Sequence, residues 1–97
     1  MIGFSFHPEA ERELDEAFGY YESRVPTLGQ AFLTEVERTV ALIRRFPDAA
    51  APAGPARRKA AVARFPYSII YLRDVDAIVV IAVAHQKRRP GYWRGRA

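Results

Sequence analysis

A chain of 97 residues, 49% of them apolar, has the length of one domain, residues 1–97, and too much apolar content for a disordered segment. It holds no cysteine and only two histidines, so a disulfide framework and a thiolate metal centre are excluded and no metal is expected. Residues 1–56 carry five Lys/Arg against nine Asp/Glu and residues 57–97 carry ten against two, so the net charge of +4 divides into −4 and +8. That division points to an acidic partner for the C-terminal half, either nucleic acid or an acidic protein.

The N-terminal MIGFSF is short and apolar with weak alternation, and reads as a strand. The N-terminus lacks the basic and long apolar regions of a signal peptide. No apolar run approaches the ~20 residues of a membrane span, so a cytoplasmic protein without a membrane partner is expected. HPEAERELDEAFGYYESR reads as a helix with Pro8 in its first turn. Glu9, Glu11 and Glu13 lie near the positive end of its dipole, and Ala10, Leu14, Ala17 or Phe18, and Tyr21 fall on one face. These carboxylates are spaced for solvent and the dipole, not as a catalytic pair. Gly19 weakens the helix locally and is a candidate for close packing.

SRVP breaks that helix. Thr27 and Gln30 have capping-box spacing and open a second helix, which runs to about Phe46 with Leu33, Val36, Val40 and Ile43 in register. Arg44 and Arg45 occupy its last turn and Pro47 stops it. So short a connection predicts an antiparallel helical hairpin. PDAAAPAGPA, residues 47–56, reads as a surface loop. Then the period changes: RKAAVARF is a modest strand, YSIIYL a stronger one, RDVD a turn and AIVVIAVA a third strand. The last is apolar on both faces, so it belongs in the centre of the sheet, with helices on one side and the C-terminal tail or a partner on the other. The fold class is α+β: an N-terminal strand, a two-helix hairpin and a three-stranded antiparallel meander.

The chain has no Gly-rich phosphate loop, no HExxH and no nucleophile elbow. What remains is basic and aromatic. His85, Lys87, Arg88 and Arg89 leave the last strand, followed by Tyr92 and Trp93. In a meander Arg64 lies at the same sheet end as His85, which makes that end the candidate site. Arg57, Arg58 and Lys59 are expected to extend the positive surface rather than join it. Such a cluster suits phosphate binding. It also suits metal-free RNA cleavage, with His85 or Tyr92 moving a proton and Arg64 or Arg88 steadying the phosphorane. In the plainer reading the tail is a solvated end, His85 a hydrogen-bonding spacer, and Tyr92 and Trp93 a cap on the open face of the sheet.

FHPEAERELDEAFGYYE, LGQAFLTEVERTVALIRRFP, RFPYSIIYL with its aspartate turn, and AVAHQKRRPGYWRGR follow one another in an order and spacing that resemble the RelE/ParE superfamily of type II toxin–antitoxin toxins, also known as plasmid stabilisation proteins. The resemblance spans nearly the whole chain. It implies a helical hairpin against a small antiparallel sheet, no cofactor, and a toxin held inactive by a cognate antitoxin whose C-terminal region wraps it. RelE-type members cut mRNA in the ribosomal A site with basic residues on the sheet and usually a C-terminal Tyr or His. Onto that pattern fall Arg64, Arg88 and Tyr92 as catalytic residues, with Lys59 at its margin. ParE-type members inhibit DNA gyrase and have no established catalytic residues of that kind. The RFPY element and the AVAHQKRRPGYW ending look ParE-like. The expectation is therefore a non-enzymatic gyrase inhibitor that binds its target through His85, Lys87, Arg88, Arg89, Tyr92 and Trp93. A ribosome-dependent mRNA endonuclease is the alternative, and a member that only binds its antitoxin is the third reading.

Overall fold

The computed structural model describes residues 2–96. Strand β1 (Gly3–Phe6) leads through His7 into helix α1 (Pro8–Arg24). His7 is the N-cap: its Nδ1 accepts from the Glu9 N–H at 3.0 Å, and Pro8 takes the first helical position, where no N–H is needed. Three residues separate α1 from helix α2 (Leu28–Arg45), which gives the expected hairpin.

Its start corrects the capping-box expectation. Thr27 sits at φ 72° with no side-chain cap bond. A capping hydroxyl needs extended backbone to reach back to the helix N–H groups, and a left-handed residue does not offer it. Glu22 of α1 supplies the cap instead, its carboxylate accepting from the Thr27 N–H at 2.9 Å and the Gly29 N–H at 2.9 Å. Close packing falls at Gly29, not Gly19. A Cβ on Gly29 would lie 2.8 Å from the Phe18 carbonyl oxygen, whereas one on Gly19 would meet open space.

Strands β2 (Ala51–Pro52), β3 (Arg57–Ala61), β4 (Tyr67–Arg73) and β5 (Ala77–His85) complete a sheet of order β1-β5-β4-β3-β2. The β3-β4-β5 meander is antiparallel and β5 is internal, as its two apolar faces require. Three details differ from expectation. The intervening hairpin returns the chain so that β1 runs parallel to β5, pairing Gly3–Phe6 with Ala77–Val80, and the sheet is mixed. The 47–56 loop adds β2 at the far edge; two residues carry no visible period, and Pro52, lacking an N–H, is tolerated there. Strand β3 stops at Ala61 because the chain turns through Arg64 at φ 71°.

The β4-β5 register shifts between Ile70 and Tyr71, which pair with Ala82 and Val80 and leave Ile81 as the extra residue. Ile81 and Ala82 consequently share one face, so AIVVIAVA reads as an unbroken apolar run. On the helix side Ile69, Tyr71, Ile78, Val80 and Val83 pack with Ala10, Ala17, Phe32, Val36 and Ile43. Tyr21, Phe32, Phe65 and Tyr67 add an edge-to-face aromatic cluster at the end of the hairpin. On the other side Trp93 folds back onto Ile70, Ile81, Ala82 and Ala84 and is only 7% exposed. The C-terminal tail is thus the cover that the second face required. No helix among the described residues is long and apolar enough to cross a membrane.

Candidate functional site

The site begins where β5 ends. His85 pairs with Tyr67 across the ladder, and its ring meets the Tyr67 ring edge-on at 5.0 Å. His85 Nδ1 accepts from the Lys87 N–H at 3.0 Å, so the neutral ring carries its proton on Nε2. The chain then coils through successive turns. The Arg88 N–H donates to the His85 carbonyl at 3.0 Å, the Arg94 N–H to Gly91 at 3.0 Å and the Arg96 N–H to Trp93 at 3.0 Å. Gly91 sits at φ 77°, a left-handed conformation that a residue with a Cβ adopts only under strain, with the movable Arg94 guanidinium against it.

A buried acid meets this tail. Strand β1 ends at Phe6, and the His7 N–H takes the Val80 carbonyl at 2.7 Å. Beyond that point the same edge of β5 has no strand neighbour, and α1 passes beside it. Glu13, 7% exposed, accepts from the Val83 N–H at 3.0 Å. It also accepts from the Tyr92 hydroxyl at 2.7 Å and from both Arg96 Nη atoms, at 2.8 and 3.1 Å. Arg96 Nη1 donates in turn to the Ile81 carbonyl at 3.0 Å. The ion pair thereby serves the open edge as a neighbouring strand would, with one partner for an N–H and one for a carbonyl. This corrects the assignment of Glu13 to solvent and the dipole. The signal was in the sequence: Glu13 lies three residues after Ala10 and four before Ala17, both buried, on the inward stripe of α1. Glu9 and Glu16 behave as expected, pairing with Arg12 on the helix surface.

Tyr92 is shaped by the same network. Burial, then the hydrogen bond to Glu13, pushes its hydroxyl pKa well above the ordinary tyrosine value. A phenol held this way stays protonated at neutral pH and donates to a carboxylate rather than taking a proton from a substrate. The Arg88 guanidinium stacks on the Tyr92 ring, 3.9 Å from its centroid.

Lys59, His85, Arg88, Arg89, Tyr92 and Trp93 line a cavity of about 150 Å³ on the tail side of the sheet, with no carboxylate in its wall among the described residues. Lys87 is exposed beside it but does not line it. Lys59 was expected to stand apart and instead joins, because it is paired with Ile70, whose side chain belongs to the tail-side cluster. Arg64 was expected to join and does not. From its left-handed turn it reaches the helix side, 3.6 Å from the Glu35 carboxylate. Arg57 and Arg58 are engaged by the Arg94 and Ala50 carbonyls, at 3.3 and 2.8 Å. Among the described residues no group of three or more His, Asp or Glu is placed to hold a metal. The arrangement offers cations and hydrogen-bond donors to an anionic or carbonyl-rich surface.

A helical hairpin thus packs on one face of a small mixed sheet, and a cationic tail is strapped across the other. Among solved structures, the chromosomal ParDE TA system from P. aeruginosa superposes with a TM-score of 0.76 over 88% of this chain and 96% of that one, at 16% identity. No curated protein matches the sequence. The family model for the ParE toxin of type II toxin-antitoxin system, parDE, matches residues 4–90, and the chain belongs to that family.

Proposed function

We propose that this protein is a ParE-like toxin that inhibits DNA gyrase by binding it in the cytoplasm and is itself neutralised by a cognate antitoxin. One observation carries the choice between the two expected activities. Two of the groups that an mRNA-cleaving site would need are drawn elsewhere, the Tyr92 hydroxyl to Glu13 and the exposed Arg64 towards Glu35. Lys87, Arg88 and Arg89 remain exposed on a tail braced by Trp93, which suits a protein-binding surface with arginine and aromatic anchors. The antitoxin reading draws on the family and on the ParDE neighbour. It is also supported by an apolar groove of about 420 Å³ between the helices, lined by Phe6, Leu14, Leu33, Val36 and Val40, which suits an amphipathic segment.

The test is a gyrase reaction with purified protein, ATP and supercoiled plasmid, scored for linear DNA after detergent and protease. Linear plasmid is the expected product, and Arg88→Glu/Arg89→Glu should suppress it. Normally processed DNA from a folded protein that still arrests growth would overturn the gyrase reading in favour of ribosome-dependent RNA cleavage. Undiminished linearisation by the double mutant would remove the tail from the interface.

A further inference from the structure

We propose that Glu13 is a positioning residue for the basic tail: through Tyr92 and Arg96 it holds residues 86–96 on the sheet and so fixes where Arg88 and Arg89 are presented. The anchoring part concerns this chain alone. Only its consequence for activity rests on the gyrase reading.

The topology makes Glu13 the meeting point. It is the one buried carboxylate of α1, and α1 is the element beside β5 where β1 has ended. Of its four hydrogen bonds, one comes from the sheet, through the Val83 N–H, and three come from the tail. A buried carboxylate left short of hydrogen-bond donors is costly. The dependence runs both ways. Without the tail, Glu13 keeps a single donor. Without Glu13, the Tyr92 hydroxyl has no partner in the network and Arg96 keeps only the Ile81 carbonyl. The chain of contact then reaches the proposed target surface, because Arg88 lies 3.9 Å from the centroid of the ring whose hydroxyl Glu13 holds. Residues 79 to 83 positions away in sequence are thereby fixed by one acid on the first helix.

The molecule carries its own reporter. Trp93 is the single tryptophan and is shielded only while the tail is docked on Ile70 and Ala84. Emission and acrylamide quenching of Trp93 should be measured in the full chain for the parent, Glu13→Gln, Glu13→Ala and Arg96→Ala, well below the unfolding transition and with far-UV circular dichroism as the check on the fold. Gly29→Ala serves as a control that weakens the hairpin without touching the tail. Glu13→Ala and Arg96→Ala should shift the emission to the red and raise quenching about twofold or more, as a buried indole becomes wet. Glu13→Gln, which can still accept from Val83 and Tyr92, should restore part of the shielding, and Gly29→Ala should leave it unchanged. Plasmid linearisation should fall in the same order, by about tenfold for Glu13→Ala, the loss of one well-placed interface anchor.

Trp93 as shielded in Glu13→Ala as in the parent would overturn the anchoring, as would equal exposure in Gly29→Ala. Release of Trp93 with undiminished linearisation would overturn the link to activity. A parent that linearises nothing defeats the gyrase reading alone. The fluorescence series then still decides the anchoring, and growth arrest on induction replaces linearisation as the measure of activity. If Glu13→Ala fails to fold, Arg96→Ala and Tyr92→Phe put the same question from the less buried end of the network.

Discussion

Tyr92 shows how far the surroundings of one residue govern its chemistry. Its ring carries Arg88 and its hydroxyl serves Glu13, and burial followed by that hydrogen bond raises its pKa above the ordinary 10.0. The sign of the stability effect follows from linkage. Below pH 10 both folded and unfolded chains hold this proton, and the contribution of the folded site is complete. As pH rises past 10 the unfolded tyrosine ionises first, and stability falls until the folded one ionises too. Tyr21, Tyr67 and Tyr71 are raised by burial and act in the same direction. Tyr92→Phe should therefore make the alkaline loss of stability shallower without abolishing it, measured as the urea midpoint between pH 8 and about 11.5. An unchanged slope would mean that the hydroxyl is not held as described. Charge type was legible at this scale, and for Glu13 so was its place on the inward stripe of α1. Arg64 and Lys59 exchanged their expected places because a positive φ and a ladder register, invisible in a list of basic residues, decide where each side chain goes.

At the scale of elements, the helices were readable from period and punctuation, and their ends were not. Thr27 and Gln30 have the right spacing for a capping box, yet Glu22 from the neighbouring helix makes the cap. Glu22→Ala should lower stability by about 1 kcal/mol, as the loss of an N-cap does, whereas Thr27→Ala should cost less because that hydroxyl makes no cap bond. Both follow from denaturant midpoints, and a larger loss at Thr27 than at Glu22 would contradict the assignment. Gly29→Ala should destabilise by about 1–3 kcal/mol, because its Cβ meets the rigid Phe18 carbonyl 2.8 Å away and the helices must part. Gly19→Ala, in open space on α1, should be neutral or slightly stabilising. Strand β2 was unreadable because two residues carry no period, and β5 misled in a useful way, its unbroken apolar run reflecting a bulge as well as two covered faces.

Over the whole molecule, the sheet is covered on one side by the helical hairpin and on the other by only a few residues of tail. Trp93→Ala should cost about 3–5 kcal/mol and expose Ile70, Ile81 and Ala84. Calorimetry together with binding of a hydrophobic dye would read both effects, and a loss below about 1 kcal/mol would show that the tail is not part of the core. The +8 of residues 57–97 gives a second expectation. Association with the target should slow markedly between about 50 and 200 mM salt, while the folded chain, held mainly by burial, changes little. Association insensitive to salt would place the contact on the apolar groove of the helices instead of the basic tail.

Composition, charge partition and hydrophobic period are local properties, and with turn residues they determined the α+β class, the hairpin, the meander, the central place of the last strand and the basic C-terminal end. The parallel docking of β1, the selection of Lys59 over Arg64 and the partners of Glu13 were decided only in three dimensions. Each depends on which residues far apart in the chain come within about 3 Å of one another, and a hydrogen bond at that range is set by register and backbone angles. Glu13 is the clearest case: its place on the inward stripe of the helix was written in the sequence, but its reason for being there, an open strand edge and an arginine 83 residues further on, exists only in the folded protein.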